Sequence, residues 1–247
     1  MRWLHVLSTV LVLAAAPLTR AAEPVDLLLV LAADVSRSID GSKFQLQRDG
    51  YAAALADPRV LDAVKSAGPN GRIAVSYVEW SGLSSQKLVI DWTLIDGITA
   101  ARQFGDRLLE TPRSFADRTS ISAGLAFAAS QFAHAPYEAR RRTIDVSGDG
   151  TNNSGPDLKE ARDNVLAQGI TINGLAILSE HPLPWNPEHT NPPGGLAKYY
   201  RDNVIGGPGT FVMEAKDFQS FGDAIIGKLI AEIARRDIDA TGVLARR

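Results

Sequence analysis

The sequence predicts an α/β domain of three layers, with a doubly wound, mostly parallel sheet between two layers of helix and one antiparallel edge strand. Three observations carry this. Strand-like and helix-like segments alternate from Val25 onward, which is the rhythm of βαβ units. Most strand candidates are dense in Val, Ile and Leu, as strands covered on both faces are. The runs at 72–80 and 87–92 are separated by only six residues, too few for a crossover helix, so these two pair antiparallel and one of them is the edge.

Before the first strand lies a segment with a different purpose. Arg2 precedes an apolar stretch from about Trp3 to Pro17, and TRAAEP at 19–24 places small residues where a signal peptidase cuts. The stretch is shorter than the roughly 20 apolar residues that span a bilayer. Residues 1–22 therefore read as a signal peptide, and the chain as periplasmic or secreted, with no membrane span after cleavage. Cleavage removes Arg2 and Arg20 from the 26 basic residues and none of the 28 acidic ones, for a net charge of −4.

Residues 23–247 read as a single domain, with a core over about 24–236 and a short C-terminal tail. The strand candidates are 25–32 (VDLLLVLA), 72–80 (RIAVSYVEW), 87–92 (KLVIDW), 142–147 (RTIDVS), 170–178 (ITINGLAIL) and 210–214 (TFVME). Helical patterns fall at 40–56, 58–66, 96–109, 120–134, 156–168 and 217–235. Ser154 with Asp157 three later resembles a capping box, Pro156 suits a first turn, and Gly169 stops that helix. Phe218, Phe221, Ile225, Leu229 and Ile233 form one apolar stripe on the last helix, a core face. Residues 179–195 hold five prolines and no periodicity, so they form a long loop after a strand.

Composition narrows the function. With 45% hydrophobic residues the chain can build one sizeable core. It has no cysteine, which removes disulfides, thiolate zinc sites and cysteine nucleophiles. Its 26 Lys and Arg are scattered, so no nucleic-acid partner is expected.

The stretch DVSRS, at 34–38, follows the first apolar run. In an extended strand Asp34 and Ser38 would lie roughly 13 Å apart, whereas ligands of one small cation lie within about 3 Å of each other. If Asp34, Ser36 and Ser38 act together, the strand must end near Ala33 and the chain must curl. Open α/β sheets bind ligands beyond the carboxyl ends of their strands. Two other oxygen-rich segments reach that rim: RTSIS at 118–122, opening a helix, and DGTNN at 149–153, following a strand. Thr119 and Asp149 are the oxygens they would bring.

This set, a strand ending in D-x-S-x-S, a Thr opening a helix and a strand ending in Asp followed by Gly, resembles the metal-ion-dependent adhesion site of von Willebrand factor A (vWA) domains. The positions are Asp34, Ser36, Ser38, Thr119 and Asp149, at intervals of 81 residues from Ser38 to Thr119 and 30 from there to Asp149. The chain is similar to the secreted bacterial members that consist of little beyond this domain. The resemblance implies a divalent cation, usually Mg2+, with Mn2+ and Ca2+ as alternatives, and a protein partner that supplies a Glu or Asp to it. Three hydroxyls and two carboxylates leave an octahedral ion room for one more hard oxygen, which agrees with that implication. Asp117 and Arg118 depart from the small residues that often precede the family's Thr, and Arg118 could face an acidic partner. The alternative without metal is helix capping by the same Ser, Thr and Asp side chains.

Other polar residues receive plainer readings. Asp145, inside its strand, is expected to point inward and bond nearby backbone. Asn152 and Asn153 shape the loop after Asp149. His181 and His189 lie in the proline-rich loop without an H-E-x-x-H spacing, so the pattern gives zinc no support. That loop should overhang the same rim, with Trp185 either a partner contact or tucked against the domain. Glu79 and Trp80 read as core or rim packing. Motifs for nucleophile elbows, phosphate loops and dinucleotide binding are absent. A metal-dependent hydrolase of phosphate or similar esters is the alternative function, but no general base is evident, and the chain reads as a non-enzyme.

Overall fold

The computed structural model describes residues 22–179 and 182–235. The expected signal segment and the end of the tail lie outside the described residues. A short pair, β1 (Glu23–Pro24) and β5 (Tyr137–Glu138), stands apart from the main sheet. The main strands are β2 (Leu28–Asp34), β3 (Ile73–Trp80), β4 (Gln86–Ile95), β6 (Arg142–Gly148), β7 (Thr171–Ile177) and β8 (Val212–Ala215). The helices are α1 (Gly41–Leu55), α2 (Pro58–Lys65), α3 (Ile98–Glu110), α4 (Ile121–Gln131), α5 (Leu158–Ala167), α6 (Pro187–Thr190), α7 (Leu196–Asn203) and α8 (Phe221–Ala234).

The six main strands run in the order β4-β3-β2-β6-β7-β8. All neighbours are parallel except β3 and β4, whose antiparallel ladder carries register shifts around Tyr77. The chain thus builds outward from β2 in one direction through β3 and β4, and in the other through β6, β7 and β8. The reversal lies between β2 and β6, which pair from Leu28↔Arg142 to Ala33↔Ser147. Their carboxyl ends emerge side by side, and this is where an open α/β sheet has its crevice.

Every residue of β2 is buried, and its side chains divide by parity, as the pleat requires. Leu29, Leu31 and Ala33 join the core that includes Tyr51, Phe104, Phe221 and Ile225 from α1, α3 and α8. Leu28, Val30 and Ala32 join the core that includes Leu125, Val165 and Tyr200 from α4, α5 and α7. Two apolar layers on one sheet explain why its central strands lack polar alternation. Trp80 closes the second layer against α4, where Gly124 leaves room for the indole: a Cβ at that position would lie 2.8 Å from Trp80 Cγ.

The structure adjusts several boundaries. The helix expected from 156 begins at Leu158, and its cap is Asp157, whose carboxylate accepts from Glu160 N at 2.8 Å. Ser154 is therefore not half of a capping box. The segment at 179–195 includes the single turn α6, and α7 follows it, an element whose pattern in LAKYYRDN is too short to read. Gly169 stops α5 with φ of 71°, the left-handed region glycine occupies freely.

Candidate functional site

Asp34 is the last residue of β2, and immediately after it the chain curls. Ser36 N donates to Asp34 Oδ1 at 2.7 Å, and the Ser36 and Ser38 hydroxyls lie 3.2 Å apart. Ser38 Oγ in turn donates to Asp149 Oδ1 at 2.6 Å, across 111 residues of chain. Asp34, Ser36, Ser38 and Asp149 thus form one contiguous set of oxygens at the β2/β6 reversal.

Thr119 arrives from the segment before α4. Its backbone is stitched to the loop after β6, since Asn153 N donates to Thr119 O at 2.9 Å and Thr119 N donates to Asn153 Oδ1 at 3.0 Å. Asn152 Oδ1 accepts from Ser122 N at 3.2 Å. The two asparagines thus shape this loop as expected, and Asn153 registers Thr119 against the Asp149 segment. Ser120 Oγ caps α4 by accepting from Ala123 N. Capping is therefore the work of Ser120, and the Thr119 side chain is spared for another use.

The electrostatics are unusual for a surface rim. Asp34 and Asp149 are almost wholly buried, and their Oδ2 atoms accept no hydrogen bond. Burial first, and the charge of Asp149 second, push the Asp34 carboxyl up to about 8. Burial also raises Asp149, against the opposing pull of its Ser38 hydrogen bond, Lys43 and His189. Two buried carboxylates facing one space cannot both ionise without a counter-charge. Lys43 Nζ, 3.8 Å from Asp149 Oδ2 and 3.0 Å from Ser38 O, supplies part of it.

Several residues at the site escape sequence reasoning. Arg113 Nη2 donates to the carbonyls of Val35, at 2.5 Å, and Ser36, at 2.7 Å, bracing the DVSRS curl from behind. Gln47 Nε2 donates to Asp34 O at 3.2 Å. Buried Glu79, read as packing, holds the preceding loop: it pairs with Arg48 at 2.5 Å and accepts from Ser114 N at 2.9 Å. No local motif announces these, because each acts on a carbonyl or amide far along the chain.

The proline-rich loop reaches the rim, as expected. His189 O accepts from Thr151 N at 2.8 Å, and the buried His189 ring lies between Thr119 and Thr151. Burial lowers the pKa of His189, although the charge of Asp149 opposes it. Trp185 is 78% exposed rather than tucked against the domain. Arg118 and Asp117 are exposed too, so Arg118 does not intrude on the buried oxygens. Asp145 points inward as expected, but its partner is the buried ammonium of Lys228, in an ion pair, rather than backbone.

A protein-family profile described as "Protein of unknown function (DUF1194)" matches residues 24–237. The chain belongs to the DUF1194 family. Among curated proteins none matches. Similar solved structures place this DUF1194 chain in the vWA-like fold. Proximal thread matrix protein 1 from the mussel byssus, in a structure titled as having a "zinc occupied MIDAS motif", aligns with TM-score 0.61 and 14% identity over 86% of this chain and 49% of its own. The pilus adhesin SpaC from Lactobacillus rhamnosus GG gives TM-score 0.56 and 10% identity, over 87% of this chain and 31% of that one. The conserved hypothetical protein BatB from Bacteroides thetaiotaomicron gives 0.50 and 18%, over 84% and 98%. The DUF1194 chain spans about half the length of the mussel protein, and at these identities the likeness is one of fold.

Among the described residues no three His, Cys, Asp or Glu side chains gather as a metal site by themselves. A cation at this rim would depend on hydroxyls as much as on carboxylates. The donor set of two carboxylates and three hydroxyls suits a hard or borderline divalent ion, and the two orphaned carboxylate oxygens fit one. Among the described residues, no helix is long and apolar enough to cross a membrane.

Proposed function

We propose that this chain is a vWA-like binding module, exported from the cytoplasm, that recruits a protein partner through a divalent cation held by Asp34, Ser36, Ser38, Thr119 and Asp149. The observation that carries the reading is the pair of buried oxygens that accept no hydrogen bond, Asp34 Oδ2 and Asp149 Oδ2, on carboxylates held beside the Ser36 and Ser38 hydroxyls. An unpaired buried carboxylate oxygen costs a few kcal/mol, and a cation removes that cost for both at once. The zinc-occupied MIDAS motif of the mussel protein, which shares this fold, supports the same use of it.

When bound, the ion would supply a Lewis-acidic point able to accept an outside carboxylate. The chain's own residues do the rest. Arg113 and Gln47 fix the curl that presents Ser36 and Ser38, Asn153 registers Thr119, and Ser38 orients Asp149. A partner offering Glu or Asp matches the charge and hardness such a rim would present.

Calorimetric titration of magnesium, manganese, calcium and zinc into chelator-treated protein tests the ion. Saturable binding at one site, lost in Asp34→Ala, is the expected result, and flat titrations with all four cations would sink the reading. Affinity capture from periplasmic extract, with and without chelator, then tests the partner.

A further inference from the structure

Between β6 and α8 lies a charged cluster that the rim does not use. Lys228 and Glu232 of α8 and Asp145 of β6 are all buried there. Lys228 Nζ donates to Glu232 Oε1 at 2.6 Å and stands 2.6 Å from Asp145 Oδ1. The two contacts differ in kind, because neither Asp145 oxygen accepts an aligned hydrogen bond. With a carbon–oxygen bond of about 1.2 Å, the nitrogen lies no more than about 3.8 Å from the Asp145 carboxyl carbon. Reacting atoms poised to combine sit at about 3–3.5 Å.

The surroundings hold this arrangement and keep water out. Asn173, beside Asp145 in the β6/β7 ladder, accepts from Phe211 N at 3.0 Å and bonds Glu232 through its side chain. The Phe211 ring covers the ammonium, its centroid 5.4 Å away. Burial raises both acids, which favours the protonated carboxyl that an amine can attack.

We infer that Lys228 and Asp145 condense into an intramolecular amide, a covalent link between α8 and β6, with Glu232 as its proton carrier. The Lys228 ammonium gives one proton to the Asp145 carboxylate, and the freed Nζ lone pair bonds to the carboxyl carbon. Glu232 relays a second proton from the nitrogen to an Asp145 oxygen, which leaves as water. One ammonium and one carboxylate thus become one amide and one water, and Glu232 ends as it began. No other reactant is needed. Two ions that are costly to bury give way to a neutral group, and the exclusion of water hinders hydrolysis back. The chain has no cysteine with which to form a disulfide, and the amide fastens it by other means. The ion-paired chain is the reactant, and its stability is a property of the uncondensed form.

Intact-mass spectrometry of the purified, denatured chain reads the outcome. Wild-type protein should be one water lighter than the sequence from its observed N-terminus, and trypsin should release 143–159 joined to 217–235. Lys228→Arg and Glu232→Gln should show full sequence masses and no joined peptide. A succinimide at Asp149–Gly150 also removes one water, but it would persist in Lys228→Arg and join no peptides. Wild-type protein at full mass, with no joined pair, overturns the inference whether or not either variant folds. A joined pair in Glu232→Gln at the wild-type level overturns the role of Glu232 and leaves the reaction to Lys228 and Asp145 alone.

Discussion

Lys228 of α8 and Asp145 of β6 form an ion pair of 2.6 Å in which neither side chain reaches solvent. Glu232, one turn further along α8, meets the same ammonium at 2.6 Å, and the Phe211 ring centroid lies 5.2–5.4 Å from it and from the Arg235 guanidinium. Two carboxylates thus share one cation beneath the sheet, on the face opposite α4. Burial raises both acids, and the charge of Asp145 adds to the shift of Glu232, which rises to about 7. The cluster fastens the last helix to the strand that leads to Asp149.

Removing the cation should be costly. Lys228→Met leaves Asp145 and Glu232 buried without a counter-charge, and breaking such a pair costs about 3–5 kcal/mol. Equilibrium urea unfolding should record that loss. Replacing all three residues by Met, Leu and Leu should recover most of it, since an apolar cluster escapes the desolvation penalty. A single Lys228→Met variant as stable as wild type would show that the acids are neutral and the pair is dispensable.

Stability of the metal-free protein should fall as pH rises. An acid whose pKa is raised in the folded state holds its proton there when the unfolded chain has lost it, so its contribution is full below the unfolded value and fades as pH climbs through the folded one. For Glu232 the window runs from 4.5 to about 7, and for Asp34 from 3.8 to about 8. Thermal melts in chelator from pH 4 to 8 should show the decline, and Glu232→Gln should flatten its part ending near 7. A melting temperature that climbs across this range in wild-type protein would contradict the buried placement of these acids.

Asp34→Asn separates folding from ligation. Asp34 in the metal-free protein holds its proton until about pH 8, so a neutral amide should leave the melting temperature at pH 7 close to wild type. A cation at 100 times its dissociation constant stabilises wild-type protein by about 2.7 kcal/mol, and that gain should vanish in the variant. Persistence of the metal-linked shift in Asp34→Asn would remove Asp34 from the ligand set.

Gly124→Ala sets two effects against each other. Alanine favours a helix interior by about 1 kcal/mol over glycine. Its methyl, however, would lie 2.8 Å from Cγ and 2.9 Å from Cδ2 of Trp80, a fully buried ring tied to a central strand. Overpacking of this kind costs about 1–3 kcal/mol, so the clash should prevail and urea unfolding should report a less stable protein. A more stable variant would mean that α4 slides freely over the indole.

How much was legible follows from the range of each signal. The mostly parallel sheet and the antiparallel edge follow from the alternation of strand and helix and from a six-residue connection, and the structure reproduces them; the order of strands around β2 emerges only in the fold. The curl of DVSRS was deducible from ligand spacing, because an extended Asp34 and Ser38 are too far apart to cooperate. His189 was not deducible: its loop has no periodicity, and its partners Thr119 and Thr151 lie 70 and 38 residues away. Lys228 was hidden for a related reason. It occupies a helix whose apolar stripe reads as core, and nothing in a 3.6-residue repeat says that a lysine on that helix finds acids inside.

The borders of the sheet also constrain how a partner can approach. At one side β8 offers only Val212–Ala215, four residues of unpaired backbone. At the other, β4 breaks register around Tyr77 and turns Lys87 and Asp91 to water. Short, kinked or charged margins discourage the addition of a foreign strand. Recruitment by backbone zippering is thereby disfavoured at both flanks, and edge-to-edge strand pairing of neighbouring molecules is disfavoured with it.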